Sequence, residues 1–187
     1  MKNFVTIYIT NHNYGKFLEK SIESVLYQNY KNIFLIIVDD NSKDNSKEIL
    51  KKYKNKKNIK IFFNKRKKGL IKCANLALKN SKGSYIIRLD ADDYLAKNAI
   101  KHLVNKIKNK KKTVMIFPNF FTINENSKVI SKHRYKHKLR YNLYDEPAHG
   151  ACCLININFL RKIGGYNEIF DRQDGHYLWY SILCRKK

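Results

Sequence analysis

Short apolar segments alternate with amphipathic segments four times in the first part of the chain. The apolar segments are FVTIYIT (4–10), IFLIIVD (33–39), IKIFF (59–63) and SYIIRLD (84–90). Their lengths are those of strands, and the second is too continuously apolar to have one face in water. Apolar residues behind them recur at helical spacing, as at Leu18, Ile22, Val25 and Leu26, which predicts amphipathic helices.

Strands and helices that alternate in this way predict βαβ units, a parallel sheet and right-handed crossovers. After about residue 113 the pattern changes, because two strand-like segments, TVMIFPNFFTI (113–123) and ACCLININF (151–159), flank the basic, tyrosine-rich segment 131–150. We therefore expect an α/β fold whose mostly parallel, Rossmann-like central sheet is flanked by helices. The mixed second part should complete the sheet and form a second wall, and all 187 residues should form one domain.

The formal net charge of +24 would suit a protein that binds nucleic acid. Lysine supplies 32 of the 39 basic residues, however, and arginine, the usual reader of base edges, is scarce. The lysines are spread through positions typical of a solvated surface. Nucleic-acid binding is therefore the weaker alternative, and attraction to an anionic lipid or a phosphorylated acceptor is another.

Neither a membrane span nor a signal peptide is predicted from the sequence. The longest unbroken apolar run covers residues 33–38, which is far shorter than a bilayer requires. The N-terminal segment lacks the long apolar region and the small-residue cleavage site of a signal peptide. The four cysteines show no C-x-x-C spacing, so we expect reduced packing residues in a cytoplasmic protein.

Polar residues follow all four predicted strands, at residues 10–13, 39–42, 64–68 and 90–93. Ligands of open parallel sheets bind beyond the carboxyl ends of the strands, so four such groups at one edge predict a binding site. The chain has no G-x-x-x-x-G-K-[ST] loop, and no G-x-G-x-x-G follows the first strand. The phosphates of a bound nucleotide would therefore be held by a metal rather than by a glycine-rich loop.

The fourth polar group contains Asp90, Asp92 and Asp93 directly behind a buried strand. Mg²⁺ and Mn²⁺ prefer hard oxygen ligands, usually one or two carboxylates completed by water and phosphate oxygens. The D-x-D spacing puts Asp90 and Asp92 on the same side of an extended chain, where one can meet a metal and the other a sugar hydroxyl or a water. The alternative is that Asp92 or Asp93 caps the following helix.

Three segments resemble family 2 glycosyltransferases with the GT-A fold. VTIYITNHNYGKFLEKSIESVLYQNYKNIFLIIVDDNSKDNS is similar to their opening, with its Ser-Val-Leu-x-Gln helix and Val-Asp-Asp-x-Ser-x-Asp element. KKGLIKCANLALKNSKGSYIIRLDADD resembles their Gly-Leu-Ser-Lys-Ala-Leu-Asn helix and Asp-x-Asp motif. IGGYNEIFDRQDGHYLW resembles their Gly-Gly-Tyr-x-Glu turn and the acidic residue that precedes a tryptophan by five positions. Their order and spacing cover nearly the whole chain.

The resemblance implies a nucleotide-sugar donor, with UDP the favoured nucleotide, and either Mn²⁺ or Mg²⁺. Asp40, or Asp39, would bind the base or ribose, although Asp39 has the alternative of ordering its loop. Asp90 would face the ribose and Asp92 would bind the metal, with Asp90 as the second candidate ligand. Carried over by position, the donor-binding residues are Thr10, Asn13, Asp39, Asp40, Lys72, Asp90 and Asp92. Lys72 has the alternative of a solvated helix lysine.

The resemblance also implies an inverting transfer of the sugar to a hydroxyl of a glycan or glycolipid acceptor. Asp174 matches the catalytic base, and Trp179 is either a platform for a sugar or a core residue. Residues 1–112 would form the donor half and 113–187 the acceptor half, which is short beside those of relatives. A location at the inner face of an anionic membrane is compatible with this. The other alternative is a catalytically silent domain that binds nucleotide sugars.

Overall fold

The structure is a computed structural model that describes residues 4–108, 110, 113–134, 150–170, 178–181 and 184. Strands and helices alternate through the first half of the chain, as the sequence predicts. The elements of that half are β1 (Val5–Asn11), α1 (Gly15–Leu26), β2 (Ile33–Asp39), α2 (Ser46–Lys51), β3 (Ile59–Phe63), α3 (Leu70–Asn80), β4 (Tyr85–Asp90) and α4 (Ala99–Lys108). The later elements are β5 (Met115–Ile116), β6 (Phe120–Ile123), β7 (Val129–His133), β8 (Leu154–Asn156) and α5 (Ile157–Lys162).

The central sheet has the strand order β3-β2-β1-β4-β8-β5. The first four strands run parallel, whereas β8 pairs antiparallel with both β4 and β5. This confirms the predicted α/β fold with a mostly parallel sheet. It also confirms that the second part of the chain completes the sheet, since β8 and β5 extend it beyond β4.

Both faces of the sheet are buried, which explains why its strands are so continuously apolar. One face packs against α1, α2 and α4, through residues such as Leu18, Leu50 and Leu103. The opposite face packs against α3 and α5, through residues such as Ile71 and Leu160. Alternate side chains of one strand therefore serve two separate cores, and neither face needs the polar residues of a half-solvated sheet.

The second part of the chain differs from the sequence prediction in two places. ACCLININF contains only the short strand β8, because the Asn156 side chain accepts a hydrogen bond from the Phe159 amide (3.0 Å) and caps α5. The segment 113–123 is divided at Pro118 into β5 and β6, since proline lacks the N–H that a ladder needs. β6 then pairs with β7 in a separate two-stranded sheet, and the first residues of the predicted basic segment belong to β7.

Two of the cysteines pack as the sequence predicts. Cys73 and Cys153 are buried and form no disulfide, whereas Cys152 is half-buried and Cys184 is exposed. Burial, with a contribution from the nearby Asp40 charge, raises the pKa of Cys73 to about 12, so this thiol stays protonated at neutral pH. None of the helices within the described ranges combines the length and the apolarity needed to cross a bilayer.

The start of β4 is fixed against β1, and this register decides where the aspartates behind β4 lie. The Thr6 hydroxyl donates to the Lys82 carbonyl (2.8 Å) and accepts from the Lys82 amide (2.9 Å). Gly83 follows with φ +86°, and a Cβ there would lie 2.3 Å from the Phe4 carbonyl oxygen. That carbonyl oxygen accepts a hydrogen bond from the Ser84 amide (3.0 Å). Only glycine fits this turn without moving the neighbouring backbone.

We predict that Gly83→Ala destabilises the protein by about 2–4 kcal/mol, because it combines a left-handed conformation with a backbone clash. The matched control is Gly164→Ala, since Gly164 has φ +90° but open space around its Cβ position. The control should cost only about 1–2 kcal/mol, the cost of the left-handed conformation alone. Urea denaturation measures both free energies of unfolding, and equal losses in the two variants would contradict this account.

Candidate functional site

The polar ends of β1, β2 and β4 lie side by side at one edge of the sheet. Asn11 is in register with Asp39 on one side of β1, and Thr10 is in register with Asp90 on the other. Asp39 and Asp90 are thus separated by two strand spacings, or about 10 Å. Three of the four predicted polar groups therefore meet around the carboxyl end of β1, an inner strand of the parallel part. The fourth group, residues 64–68, joins them through hydrogen bonds to Asp40.

Asp39 holds together the loops behind β1 and β2. Its side chain is fully buried and accepts hydrogen bonds from Asn11 Nδ2 (2.9 Å) and the Ser42 amide (3.2 Å). The Ser42 hydroxyl accepts from Asn11 Nδ2 and the Asn13 amide, both at 3.0 Å. The Asn13 side chain in turn accepts from the Lys43 amide (2.7 Å). Asp39 therefore has the loop-ordering role that the sequence left as an alternative.

Asp40 fixes the loop between β3 and α3. Its carboxylate accepts hydrogen bonds from Asn64 Nδ2 (2.8 Å), the Lys68 amide (2.8 and 3.0 Å) and the Gly69 amide (2.8 Å). Burial by itself raises the pKa of this carboxyl, but the hydrogen bonds from Asn64, Gly69 and Lys68 outweigh it and hold the pKa below its ordinary value. Asp40 is therefore a buried anion that is fully engaged by protein donors.

The other residues proposed for donor binding surround this framework. Thr10 is half-buried at the end of β1, and Asn13 is exposed with φ +63°. Lys72 is exposed in the first turn of α3. These three side chains lie at the same edge as Asp39 and Asp40. Their contacts with a nucleotide stay predictions, as does the binding of the base or ribose by either aspartate.

Asp90 is paired with a cation that the sequence analysis did not assign. Arg88 Nε lies 2.9 Å from one carboxylate oxygen of Asp90, and Arg88 Nη2 donates to the other at 3.3 Å. The Arg88 side chain is only 6% exposed, and that of Asp90 26%. The clue in the sequence is an arginine inside the apolar strand YIIRLD, two positions before an aspartate, because residues two apart share a face of a strand.

Asp92 and Asp93 are exposed in the turn that follows β4. The Asp93 amide donates to the Asp90 carbonyl (3.1 Å) and closes this turn. α4 begins only at Ala99, so neither carboxylate lies at its N-terminus. The alternative that Asp92 or Asp93 caps the next helix is therefore wrong, and the exposed Asp92 carboxylate is directed to solvent at the rim of the site.

The side chains at this rim fit a divalent cation that is bound by protein and phosphate oxygens together. Mg²⁺ commonly uses one or two carboxylates and completes its shell with waters and substrate phosphates. Asp92 supplies one exposed carboxylate, while both oxygens of Asp90 are engaged by Arg88. Within the described part of the chain, no three His, Cys, Asp or Glu side chains converge on one point. The residues suit a cation bound together with a diphosphate rather than an all-protein cage.

The proposed catalytic base, Asp174, lies outside the described residues. Trp179 is 6% exposed, as expected of a core residue. The turn before Asp174 is tied to α3, since Asn75 donates to the Tyr166 carbonyl and accepts from its amide, both at 2.9 Å. Asn75 also donates to Glu168 (2.9 Å). Asn75 is not among the site residues predicted from the sequence, because a contact between residues 91 positions apart has no local signal.

Comparison with known proteins gives one family for nearly the whole chain. The description of that family is Glycosyl transferase family 2, and its model matches residues 6–179. WfgD of Escherichia coli, a UDP-Glc:alpha-D-GlcNAc-diphosphoundecaprenol beta-1,3-glucosyltransferase, is 30% identical over 179 residues, which are 96% of this chain and 69% of WfgD.

Two solved structures share the fold at low sequence identity. TarS 1–349 of S. aureus in complex with UDP-GlcNAc has a TM-score of 0.75 and 19% identity, over 95% of this chain and 52% of TarS 1–349. The mannosyltransferase PcManGT of Pyrobaculum calidifontis, in complex with GDP-Man and Mn²⁺, has a TM-score of 0.74 and 15% identity, over 98% of this chain and 52% of PcManGT. The chain spans about half the length of many of the proteins it matches.

We predict that Asp40→Asn lowers the free energy of unfolding by about 1–3 kcal/mol at neutral pH, because an amide cannot accept all the hydrogen bonds that the carboxylate accepts. The folded pKa of Asp40 lies below its ordinary value of 3.8. The stabilisation is therefore complete above that value and is lost as the pH falls through the lower folded pKa.

The difference between wild type and Asp40→Asn should accordingly be constant above about pH 5 and shrink below about pH 4. Denaturant unfolding at several pH values measures it. Glu125→Gln is the control, because Glu125 is exposed in the turn between β6 and β7 and its replacement should change little at any pH. A difference that grew on acidification would contradict the role assigned to Asp40.

Proposed function

The chain belongs to glycosyl transferase family 2 and has the GT-A fold, and from this we propose that it transfers a sugar from a nucleotide diphosphate sugar to a hydroxyl of a glycan or glycolipid. The observation that carries the proposal is the meeting of the β1, β2 and β4 ends, with exposed Asp92 at their rim. Ligands of open parallel sheets bind beyond the carboxyl ends of the strands, so this edge is where the donor would bind.

The donor would bind to the half formed by residues 1–112, with its nucleoside near Thr10 and Asn13. Asp39 and Asp40 order the two loops between which the base and ribose would lie, and either carboxylate would accept a hydrogen bond from the nucleotide by exchanging one of its present donors. Lys72 would lie near the base or the phosphates. UDP is the proposed nucleotide, and the names of WfgD (UDP-Glc) and of the TarS complex (UDP-GlcNAc) support this choice.

Asp92 would hold the divalent cation, because its carboxylate is exposed at the rim and its position matches the metal ligand of the family's Asp-x-Asp motif. When bound, Mn²⁺ or Mg²⁺ would supply charge that stabilises the leaving nucleoside diphosphate. The Mn²⁺ complex of PcManGT is consistent with a metal of this kind. Asp90, which Arg88 holds by both oxygens, is better suited to face the ribose than to serve as a further metal ligand.

Asp174 would act as the base in the acceptor half, residues 113–187. A hydroxyl is a weak nucleophile, so a carboxylate that accepts its proton during attack lowers the barrier. Attack from the face opposite the leaving diphosphate inverts the configuration at the anomeric carbon. The support for this assignment is the match of Asp174 to the acidic residue of the family that precedes a tryptophan by five positions.

The many exposed lysines would allow contact with an anionic membrane surface from the cytoplasmic side. This would bring the site close to a glycolipid acceptor. Binding to vesicles with and without anionic lipid, at increasing salt concentration, tests the contact. Equal binding to neutral and anionic vesicles would rule it out.

We predict that Asp92→Asn lowers the rate of Mn²⁺-dependent hydrolysis or transfer from UDP-sugars by about 10²–10³-fold, since it removes an electrostatic stabiliser of the leaving group. Asp93→Asn is the matched control, because it makes the same change at the neighbouring exposed position. At saturating Mn²⁺, where a change in metal affinity no longer affects the rate, the control should remain within about twofold of wild type. Equal losses in the two variants would contradict the assignment of Asp92.

We predict that Asp174→Asn lowers turnover by about 10²–10⁴-fold while the Kd of UDP in the presence of Mn²⁺ stays within about twofold of wild type. Turnover is measured with a panel of UDP-sugars and glycan acceptors, and UDP binding by calorimetry. A wild-type protein that binds UDP but transfers no sugar to any acceptor would instead favour the catalytically silent binding domain. An active Asp174→Asn variant would exclude Asp174 as the base.

A further inference from the structure

Arg88 is a buried cation inside the acidic cluster, and its position is fixed by the sheet. Its backbone pairs with Tyr8 of β1, and its carbonyl accepts the Cys152 amide at 2.7 Å. The guanidinium contacts both oxygens of Asp90, at 2.9 and 3.3 Å. An ion pair whose two groups are mostly removed from water is screened much less than a pair on the surface.

We propose that Arg88 acts as an internal counter-ion that keeps Mn²⁺ or Mg²⁺ from binding tightly to the acidic cluster until a nucleoside diphosphate is present. The inference rests on the proposed function, because it takes Asp92 to be the carboxylate that meets the cation. The new element is that Arg88 makes the affinity for the cation depend on bound nucleotide, and the affinity for the nucleotide depend on bound cation.

The charges behind β4 are the first reason for this proposal. Asp90, Asp92 and Asp93 would together present three negative charges behind β4, and a dication would be attracted strongly to such a group. Arg88 neutralises Asp90, the member that is least exposed and so least screened by water. The guanidinium also repels a dication placed beside the cluster. The attraction that remains is that of exposed carboxylates, which water and salt screen.

The number of oxygen ligands available to the cation is the second reason. With both oxygens of Asp90 engaged by Arg88, Asp92 offers the cation a single carboxylate, and the rest of its shell would be water. A diphosphate adds two oxygens and further negative charge, which completes the kind of shell that Mg²⁺ prefers. By linkage, the factor by which the nucleotide tightens cation binding equals the factor by which the cation tightens nucleotide binding.

The test is a titration with Mn²⁺, followed by electron paramagnetic resonance of the free ion, without UDP and at saturating UDP. The binding of Mn²⁺ to UDP alone is measured separately and subtracted. Arg88→Gln should lower the Kd of Mn²⁺ for the nucleotide-free protein on the order of tenfold, because the charge of Asp90 is no longer offset. The ratio of the Kd values without and with UDP should fall by a similar factor.

Arg161→Gln is the matched control, since it removes the same charge from a guanidinium that contacts Ser81 and the Leu78 carbonyl, at the end of α3. Its Mn²⁺ affinity should equal that of wild type. Arg88→Lys keeps the charge and should also bind Mn²⁺ as wild type does. A Kd for Arg88→Gln that equals that of wild type, or an Arg88→Lys variant that binds as tightly as Arg88→Gln, would overturn the proposal.

The double variant Arg88→Gln/Asp90→Asn keeps the test decisive if Arg88→Gln alone fails to fold. It removes two opposite charges together, so no buried carboxylate is left without a partner. Its Mn²⁺ affinity without UDP should be within about threefold of wild type, because the net local charge is the same. A tenfold change would overturn the proposal. If neither wild type nor any variant binds UDP, the sugar-transfer function is refuted. The Mn²⁺ titrations without UDP would still test the effect of Arg88 on the affinity for the cation.

Discussion

The parallel pairing of β1 with both β2 and β4 is the constraint on which the rest of the structure depends. β1 is buried on both faces and along both edges, so its register cannot slip without exposing core side chains. The registers of β2 and β4 against it then decide where each chain leaves the sheet. The carboxyl ends of the three strands, with Asp39 and Asp90 on either side of Thr10 and Asn11, are brought together by apolar packing that lies well away from them.

Charged groups at this edge are tolerated because almost every buried one has a protein partner. Asp39 and Asp40 accept hydrogen bonds from side chains and backbone amides, and Arg88 is paired with Asp90. A buried carboxylate without such partners would cost several kcal/mol or take up a proton. The hydrogen bonds offset that cost and also order the loops, since each carboxylate fixes the loop whose amides donate to it. A rigid rim is the prerequisite for holding a flexible sugar nucleotide in one orientation.

The sequence predicted the four parallel strands and their helices well, because periodicity and length are local properties of strands and helices buried in this way. It misplaced part of the second half, where local signals compete. The isoleucine and phenylalanine residues of ACCLININF favour a strand, but the Asn156 cap starts α5 within the segment. The strand-end aspartates were predicted as a group, whereas their separate roles depend on partners that lie far away in sequence. Lys68, Gly69 and Asn64 meet Asp40 only in the folded chain.

The partners of Asp40 and Asp44 limit how a diphosphate could be held at this edge of the sheet. Related sheets hold phosphates on the free amides at helix N-termini. Here the Lys68 and Gly69 amides before α3 donate to Asp40, and the Gly15 amide at the start of α1 donates to Asp44 at 2.8 Å. These amides are occupied by the chain's own carboxylates, which would also repel a phosphate. A diphosphate at this edge would therefore need positive charge from elsewhere, and in the proposed function the exposed Asp92 carboxylate would bind a cation that supplies part of it.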